Sequence, residues 1–378
     1  MSPGTAPAPT TRYDLDRDAL REVLAGEPRY RVDQVWDGLH RRAAEPEDMT
    51  DLPAVLRRRL AAALPPALGA AGRSVSEGGG TVKWLWELHD GARIETVLMH
   101  YRDRSTVCVS SQAGCAMACG FCATGQAGFE RNLTTGEIVE QVVRAVREAR
   151  PRRLSNVVFM GMGEPLANYE RMWHAVERIH DDIGVSARHI TVSTVGIVPG
   201  IRRLATERLA VNLAVSLHAA NDRLRDELVP VNRRYPLAAL ADACRAWTAA
   251  KGRRLSFEWA LIAGTNDRLS DAVELARLAR SLRAHVNLIP LNPTPGYATP
   301  GTPAAGVRAF RDRLDALGVN ATVRRNRGTD IDAACGQLAA RAARAARADE
   351  TAPAGADGTA PASDVAVSAP ARSGAPRP

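Results

Sequence analysis

The sequence predicts an α/β protein built on a partial barrel of six βα units. Two observations indicate this fold. Six short apolar segments, rich in β-branched residues, alternate with amphipathic helical patterns, as is typical of parallel strands joined by right-handed crossovers. A helical region and a hairpin pattern precede these units, and 378 residues suffice for a barrel with a small added domain. A closed eightfold barrel would need two more units.

The chain begins with a segment, residues 1–13, that is predicted to be a disordered lead. Residues 14–72 are predicted to form a small helical domain. Its apolar residues recur at helical spacing, among them Val32, Val35, Trp36 and Leu39. Arginines surround these helices at 41–42 and 57–59. Such a charge run is either a solvated face or an RNA-contacting surface, and the sequence alone does not decide between them.

The next segment, residues 73–100, is predicted to be a β-hairpin extension. Two alternating stretches, at 81–88 and 92–99, flank the dipeptide Asp90-Gly91. Asp-Gly between alternating apolar stretches is a strong signal for a hairpin turn. We expect this extension to lead directly into the barrel.

Residues 101–338 hold the six predicted units. Their strands are predicted at 106–110, 156–160, 189–193, 211–217, 255–262 and 286–290. The clearest helix starts with a capping box formed by Thr134 and Glu137. A further strand is predicted at 320–325. The final segment, residues 339–378, is predicted to be a basic helix and a disordered tail, because most of it lacks large apolar residues.

The conspicuous motifs all follow predicted strands. A cysteine-rich segment follows the first strand, and GMGE (161–164) follows the second. Ser193 ends the third strand, Ser216-Leu217-His218 ends the fourth, and Asn292 follows the sixth. Because the chemistry of βα barrels lies at the C-terminal ends of the strands, we expect these motifs to meet at one rim.

Composition restricts the partners and the compartment. The formal charge of +8 and the pI near 9.6 indicate either a polyanionic partner such as RNA or an arginine-rich composition bias. There is no run of eighteen apolar residues and no signal-peptide pattern at the N-terminus. We therefore expect a cytoplasmic protein that does not associate with a membrane. Six cysteines, three of them clustered, fit a reducing compartment.

The clustered cysteines, Cys115, Cys119 and Cys122, are spaced Cys-x3-Cys-x2-Cys. Three thiolates on a four-iron cluster would leave one iron open, whereas a structural zinc site needs a fourth ligand. No second cysteine pair follows at zinc-finger spacing, so the spacing favours the cluster over zinc or three unrelated thiols. Cys244 lies on a helical pattern and is predicted to be a core residue. Cys335 lies in a loop between Ala and Gly, where a structural thiol has no obvious reason to be.

The cysteine motif resembles that of radical S-adenosylmethionine (SAM) enzymes. Further segments resemble the RlmN family of dual-specificity RNA methyltransferases, namely CVSSQ at 108–112, GMGEP at 161–165, SLH at 216–218 and GTDIDAACGQ at 328–337. The resemblance runs from about residue 15 to residue 338. One departure is Val195 in Ser-Thr-Val-Gly, where the family usually has Ser-Thr-Ser-Gly, and it changes the local hydrogen bonding near Ser193.

The resemblance implies the cofactors and the partners. Cys115, Cys119 and Cys122 would hold a [4Fe-4S] cluster whose fourth iron binds SAM, with two SAM molecules used per turnover. The residues implied to contact SAM are Gly163, Glu164, Ser193, Ser216, Leu217, His218 and Asn292. The helical domain would engage the substrates, 23S rRNA and tRNA. A low-potential electron donor such as flavodoxin is implied, and we expect a monomer.

The resemblance also implies three catalytic residues. Cys335 would carry the methyl group, Cys108 would resolve the covalent RNA adduct through a transient disulfide with Cys335, and Glu95 would accept a proton. Adenine C2 is electron-poor and cannot attack the SAM methyl group, so a thiolate for methyl displacement and a radical source for carbon–carbon bond formation fit the substrate. For Glu95 the alternative is a solvent-side carboxylate on a strand, and Cys108 could accept the same proton.

Two other functions remain open at this point. A Cfr-type relative methylates adenine C8 with nearly the same catalytic residues, and the helical domain and the motif text favour C2 over it. A non-catalytic iron–sulfur regulator that binds RNA is the alternative of another class. Such a regulator would not need Cys108, Cys335 or the segment that contains Gly163 and Glu164.

Overall fold

The structure, a computed structural model, describes residues 10–294, 296–324, 327–334 and 336–338. Most of the predicted lead and all of the predicted tail lie outside the described residues, as does Cys335. Among the described helices, none combines the length and the apolar character that crossing a membrane requires.

The chain first forms a small helical domain. Its helices are α1 (Arg17–Val23), α2 (Tyr30–His40) and α3 (Ala54–Ala63). The Asp16 side chain caps the first helix by accepting a hydrogen bond from Ala19 N at 2.7 Å. Val35 and Leu60 are completely buried, so the apolar faces meet in one core. The helical pattern seen in the sequence is thereby confirmed.

A three-stranded antiparallel extension follows. Its strands are β1 (Gly69–Val75), β2 (Thr81–Glu87) and β3 (Arg93–His100). The predicted hairpin of β2 and β3 is confirmed, with Gly91 at φ +81° in the turn. The sequence analysis did not predict β1, because its residues are mostly exposed and do not alternate between apolar and polar. Since β1 begins at Gly69, the helical domain ends before the predicted boundary at residue 72.

The cysteine motif lies in the connection between the two strands of a small separate sheet. β3 pairs antiparallel with β4 (Ser105–Cys108), which is followed by β5 (Gln112–Gly114), α4 (Ala123–Ala127) and β6 (Phe129–Asn132). β5 and β6 pair with each other. A Cβ at Gly114 would lie 2.1 Å from Gly128 O, so this close pairing requires glycine. Strands of three and four residues are too short for periodicity to predict.

From β4 onward, neighbouring strands of the main sheet run parallel. The further strands are β7 (Leu154–Phe159), β8 (Ile190–Thr194), β9 (Asn212–Ser216), β10 (Leu255–Leu261), β11 (His285–Pro290) and β12 (Ala321–Val323). They follow β4 in chain order across the sheet, and β1 to β3 continue the sheet on its other side. The α/β fold with a partial barrel is confirmed, and the six predicted barrel strands match the observed bounds within two residues.

Helices connect and cover the parallel strands. They are α5 (Thr135–Ala149), α6 (Tyr169–Asp181), α7 (Val198–Leu204), α8 (Asp222–Leu228), α9 (Leu237–Lys251), α10 (Leu269–Ser281) and α11 (Ala304–Ala316). The capping box at α5 is confirmed, since Glu137 N donates to Thr134 Oγ1 at 3.1 Å and Thr134 N donates to Glu137 Oε2 at 2.8 Å. Cys244 on α9 is completely buried, as predicted for a core residue.

The helical domain packs along α5 and against the C-terminal end of α6. Trp36 Nε1 donates to Asp182 Oδ1 at 2.8 Å, just beyond the end of α6. Gly136 N, in the first turn of α5, donates to Asp14 Oδ1 at 2.7 Å. Side-chain contacts with the covering helices therefore attach this domain to the barrel.

Candidate active site

The C-terminal ends of the parallel strands surround a cavity of about 170 Å³. Loops that follow β4, β7, β8, β9 and β11 contribute to its wall. The predicted site residues that line it are Cys115, Cys119, Cys122, Gly163, Glu164, Ser193, Ser216, His218 and Asn292. The motifs therefore meet at one rim, as the order of strands and motifs predicted. Contact with SAM stays a prediction for each of these residues.

The loop that carries the three cysteines is compact. Cys122 N donates to Cys119 O at 3.1 Å, and Cys122 is the N-cap of α4. A Cβ at Gly125 would lie 2.9 Å from Cys119 O, so glycine allows the helix to pack against the loop. These main-chain contacts bring all three thiols to the wall of the same cavity.

The donor set of this loop fits an iron–sulfur cluster. Burial raises the pKa of the Cys115 thiol to about 12, and it also raises the pKa of Cys119. Since thiolates are the ligand form of cysteine, thiols buried in this way need a cationic group such as cluster iron beside them to ionise. Met117, Phe121 and Leu291 line the same cavity and supply an apolar shell.

The segment after β7 packs closely on the chain between β4 and β5. Gly161 N donates to Val109 O at 3.1 Å, and a Cβ at Gly161 would lie 2.6 Å from that oxygen. Gly163 has φ +98°, and its Cβ would lie 2.5 Å from Gln112 Cβ. Close packing therefore requires both glycines, in addition to any approach of a ligand.

Glu164 joins the loops that follow β7 and β8. Its Oε1 accepts from Leu166 N at 3.0 Å, and its Oε2 accepts from Val195 N at 2.8 Å. Burial raises the pKa of Glu164 to about 7. Val195 takes part through its main chain, so the departure from the family pattern at this position leaves the bond in place.

His218 is held neutral at the end of β9. Its Nδ1 accepts from Ala260 N at 2.9 Å, and burial lowers the pKa of the imidazole to about 3. A neutral ring whose Nδ1 accepts carries its proton on Nε2. Phe121 packs edge-on against the ring at 4.8 Å between centroids, and His218 adopts φ +59°. This fixed ring offers one N–H donor.

The other predicted SAM contacts have different environments. Ser193 Oγ donates to Phe159 O, which leaves its lone pairs able to accept from a ligand. Asn292 is buried on the cavity wall. The Leu217 side chain is completely buried in the hydrophobic core, so a contact with SAM at this position would come from the main chain.

A smaller cavity of about 70 Å³ adjoins the first. Cys108 and Val97 line it, and Met160, Ile289, Arg324 and Leu338 line both cavities. Ala334 lines the smaller cavity, while Gly336 lines the larger one. The residues on either side of position 335 thus face the two cavities, and Cys335 itself lies outside the described residues.

Glu95 is buried rather than exposed to solvent. It lies on β3 at 3 % exposure, and its Oε1 is 3.0 Å from Lys83 Nζ. The alternative of a solvent-side carboxylate is therefore wrong. Val97, two residues along β3, lies directly opposite Cys108 on β4. Because side chains two apart on a strand share a face, Glu95 and Cys108 lie on the same face of the sheet.

The sequence analysis missed two charged groups at the site. Lys83 is one, and the pair of Arg324 and Glu258 is the other, with Arg324 Nη1 donating to Glu258 Oε2 at 3.2 Å. Asn287 Nδ2 also donates to Glu258 Oε1 at 2.8 Å. A signal was present, since Lys83 lies in the interior of a mostly apolar strand and Glu258 is the single charged residue of another. Buried charges are normally paired, so each predicts a partner.

Several arginines of the helical domain pair with carboxylates. Arg41 pairs with Asp37 at 3.1 Å, and Arg59 pairs with Glu27 at 3.1 Å. Residues 14–72 contain nine arginines against eleven Asp and Glu. The net charge of this domain is therefore slightly acidic, and its RNA-engaging role stays a prediction.

Comparisons with known proteins identify the family of this chain. Residues 109–279 match the model of the radical SAM superfamily. A probable dual-specificity RNA methyltransferase RlmN of Salinispora tropica is 52% identical, with 90% of this chain and 96% of that protein covered. The corresponding protein of Thermobifida fusca is 51% identical, with 91% and 98% covered. The crystal structure of a radical SAM methyltransferase from Sphaerobacter thermophilus is 51% identical, with a TM-score of 0.85 over 88% of this chain and 100% of that chain.

The partial barrel and the cysteine loop place the chain in the radical SAM superfamily, whose enzymes use a [4Fe-4S] cluster and SAM. Identity above one half over nearly the full length of the relatives narrows this class. The chain belongs to the RlmN family and is a radical SAM RNA methyltransferase. The alternative of a non-catalytic regulator is thereby excluded.

Proposed function

We propose that this enzyme methylates C2 of one adenine in 23S rRNA and C2 of the adenine next to the anticodon, position 37, in a set of tRNAs. The dual specificity named for its relatives supports two kinds of RNA substrate. The observation that carries the chemical part of the proposal is the adjoining pair of cavities, one lined by the cluster cysteines and the other by Cys108.

The substrate carbon decides what the chain must provide. Adenine C2 is electron-poor, so it does not act as a nucleophile toward a methyl donor. When bound, the cluster and two SAM molecules supply the methyl group and the one-electron chemistry that joins it to carbon. The chain itself supplies a sulfur that carries the methyl group, a thiol that ends the reaction and a group that accepts a proton.

In this proposal Cys335 supplies the sulfur, which carries the methyl group as a thioether. The new carbon–carbon bond then tethers the RNA to the protein. Cys108 resolves the tether when its thiolate attacks the sulfur of Cys335. The disulfide forms, the sulfur–carbon bond breaks, and the electron pair goes to the methylene carbon, which becomes a methyl group on taking a proton. The position of Cys108 in the cavity that Ala334 also lines supports this role.

Glu95 accepts the C2 proton before the tether breaks, and the remaining electron of the adduct would return to the cluster. Its place on the same face of the sheet as Cys108 supports this role. The Lys83 ammonium beside it holds the carboxylate in one orientation. An external reductant must then return the disulfide to two thiols.

The wider setting follows from this chemistry. Electrons for the cluster come from a low-potential donor such as flavodoxin. We propose that the enzyme acts as a monomer in the cytoplasm, where its RNA substrates are present. Both statements extend the proposal and do not alter the site.

Mass spectrometry of RNA from a strain that lacks the gene tests the substrate assignment. The 23S rRNA and tRNA of that strain should lack 2-methyladenine, and the wild-type gene should restore it in both. Restoration of 8-methyladenine instead would support the Cfr-type alternative and contradict the proposal. Restoration in only one kind of RNA would contradict dual specificity.

A further inference from the structure

One of the two lysines in the chain is buried beside the proposed site. Lys83 lies on β2 at 6 % exposure. Its ammonium is 3.0 Å from Glu95 Oε1 and donates to Asp332 O at 3.1 Å. The Lys83 side chain therefore joins the proposed proton acceptor to residues 327–334, the segment that precedes Cys335.

The segment 327–334 is fixed against the β extension. Asp332 adopts φ +51°, a left-handed conformation that a residue other than glycine keeps only when its surroundings hold it. Besides the bond from Lys83, Arg327 Nη1 donates to His100 O at 2.9 Å, and Glu77 N donates to Asp330 Oδ2 at 3.0 Å. Among the three donors, Lys83 also contacts a carboxylate of the site, that of Glu95.

The register of the sheet directs Lys83 toward this site. Lys83 lies directly opposite Val97 on β3, and Val97 lies directly opposite Cys108 on β4. Residues opposite one another in antiparallel strands point to the same face. Lys83, Glu95 and Cys108 therefore share one face, and Val97 and Cys108 line the smaller cavity there.

Energetics favour a functional reason for this ion pair. A buried ion pair is weak evidence for stability, because well-packed apolar residues of similar volume are often as stable or more so. On the same face, Lys83 lies opposite Val97, an apolar residue that is buried, so this face is suited to an apolar side chain at position 83. Burial of the pair costs desolvation free energy, and the contact holds the two charged groups in a fixed geometry.

We propose that Lys83 is a positioning residue for resolution of the RNA adduct. It holds the Glu95 carboxylate and the main chain at Asp332 in one arrangement, so that Glu95 reaches the C2 proton while the RNA is tethered through Cys335. This inference rests on the proposed function. It assigns to the β extension the task of aligning the proton acceptor with the methyl-carrying segment.

Replacement of Lys83 by methionine tests the inference. Lys83→Met should slow release of methylated RNA from the adduct by roughly 10- to 100-fold, part of the usual contribution of a positioned acid or base. Iron content and SAM cleavage should stay at the wild-type level, and Lys83→Arg should recover most of the release rate. Lys251→Met is the matched control, because Lys251 on α9 also donates to a main-chain oxygen, that of Glu207. It should leave every readout unchanged.

A double variant guards against a folding effect. Lys83→Met removes the ammonium that lies beside the buried Glu95 carboxylate, whereas Lys83→Met with Glu95→Gln removes both charges of this pair. If Lys83 acts through Glu95, the double variant should release RNA at the same rate as Glu95→Gln alone. A further slowing in the double variant, or a wild-type release rate in Lys83→Met, would overturn the inference.

The outcomes also separate this inference from the proposed function. Cys108→Ala should trap RNA on the protein if the proposed chemistry holds. If Cys108→Ala traps RNA while Lys83→Met releases it normally, only the positioning role is overturned. If Cys108→Ala traps no RNA, the proposed function fails, and the positioning role fails with it.

Discussion

Two additions precede the barrel, and they attach to it in different ways. The helical domain packs on α5 and α6 through side chains such as Trp36, whereas the β extension continues the main sheet through main-chain hydrogen bonds. Only the extension places charged side chains, Glu95 and Lys83, on the face of the sheet that also carries Cys108. Attachment through the sheet thus fixes side chains at a site, while attachment through helices fixes one surface against another.

Charge differs between the same regions. Residues 14–72 have two more acidic than basic residues, whereas residues 73–338 contain 35 Lys and Arg against 27 Asp and Glu. The positive excess therefore lies on the extension and the barrel. A run of arginines in a sequence does not by itself make a basic surface, because nearby carboxylates can neutralise it.

The largest effect is expected in the extension. Glu95→Gln should slow single-turnover RNA methylation by roughly 100-fold or more, because glutamine cannot accept the C2 proton. Protein with covalently attached RNA should accumulate. Glu87→Gln, on the exposed end of β2, is the matched control and should react at the wild-type rate. Normal turnover in Glu95→Gln would remove the extension from the chemistry and leave Cys108 as the proton acceptor.

An intermediate effect, on stability alone, is expected in the helical domain. Trp36→Phe keeps an aromatic ring but loses the hydrogen bond to Asp182, which should cost about 1–2 kcal/mol of folding free energy. Calorimetry should show a melting temperature lower by about 1–3 °C. Iron content and RNA adduct formation should not change. A loss of adduct formation would mean that the docking of this domain controls the site.

The smallest effect concerns RNA binding by the helical domain. Arg58 is exposed, and no ion pair of Arg58 is found among the described residues, whereas Arg41 pairs with Asp37. If the domain contacts phosphates, Arg58→Ala should lower the salt dependence of RNA binding by about one unit of slope. Arg41→Ala should lower it less. An unchanged slope in both variants would place the RNA contacts on the extension and the barrel.

Periodicity and motif order predicted most of the fold. The sequence predicted the six barrel strands, the capped helix at Thr134 and the convergence of the motifs on one rim. Each of these depends on local spacing or on the rule that strand ends carry the chemistry. The sequence did not predict β1 or the pairing of β5 with β6. They are short or mostly exposed, and their pairing depends on the rest of the fold.

Part of the site could not be predicted for a similar reason. Burial of Glu95 and its contact with Lys83 depend on the register between two strands and on the chain returning at Asp332, about 250 residues later. No local pattern contains that information. The tautomer of His218 likewise depends on a hydrogen bond from Ala260, on a different strand, and its neutral state depends on burial.

The roles of the two cysteines outside the cluster loop are the central claim, and covalently bound RNA tests them most directly. Cys108→Ala and Cys335→Ala proteins would be purified under denaturing conditions and analysed by nuclease digestion and mass spectrometry. Cys108→Ala should carry crosslinked RNA, because the tether forms and is not resolved. Cys335→Ala should carry neither RNA nor a methyl group. Cys108→Ala without bound RNA, or Cys335→Ala with normal methylation, would contradict the account.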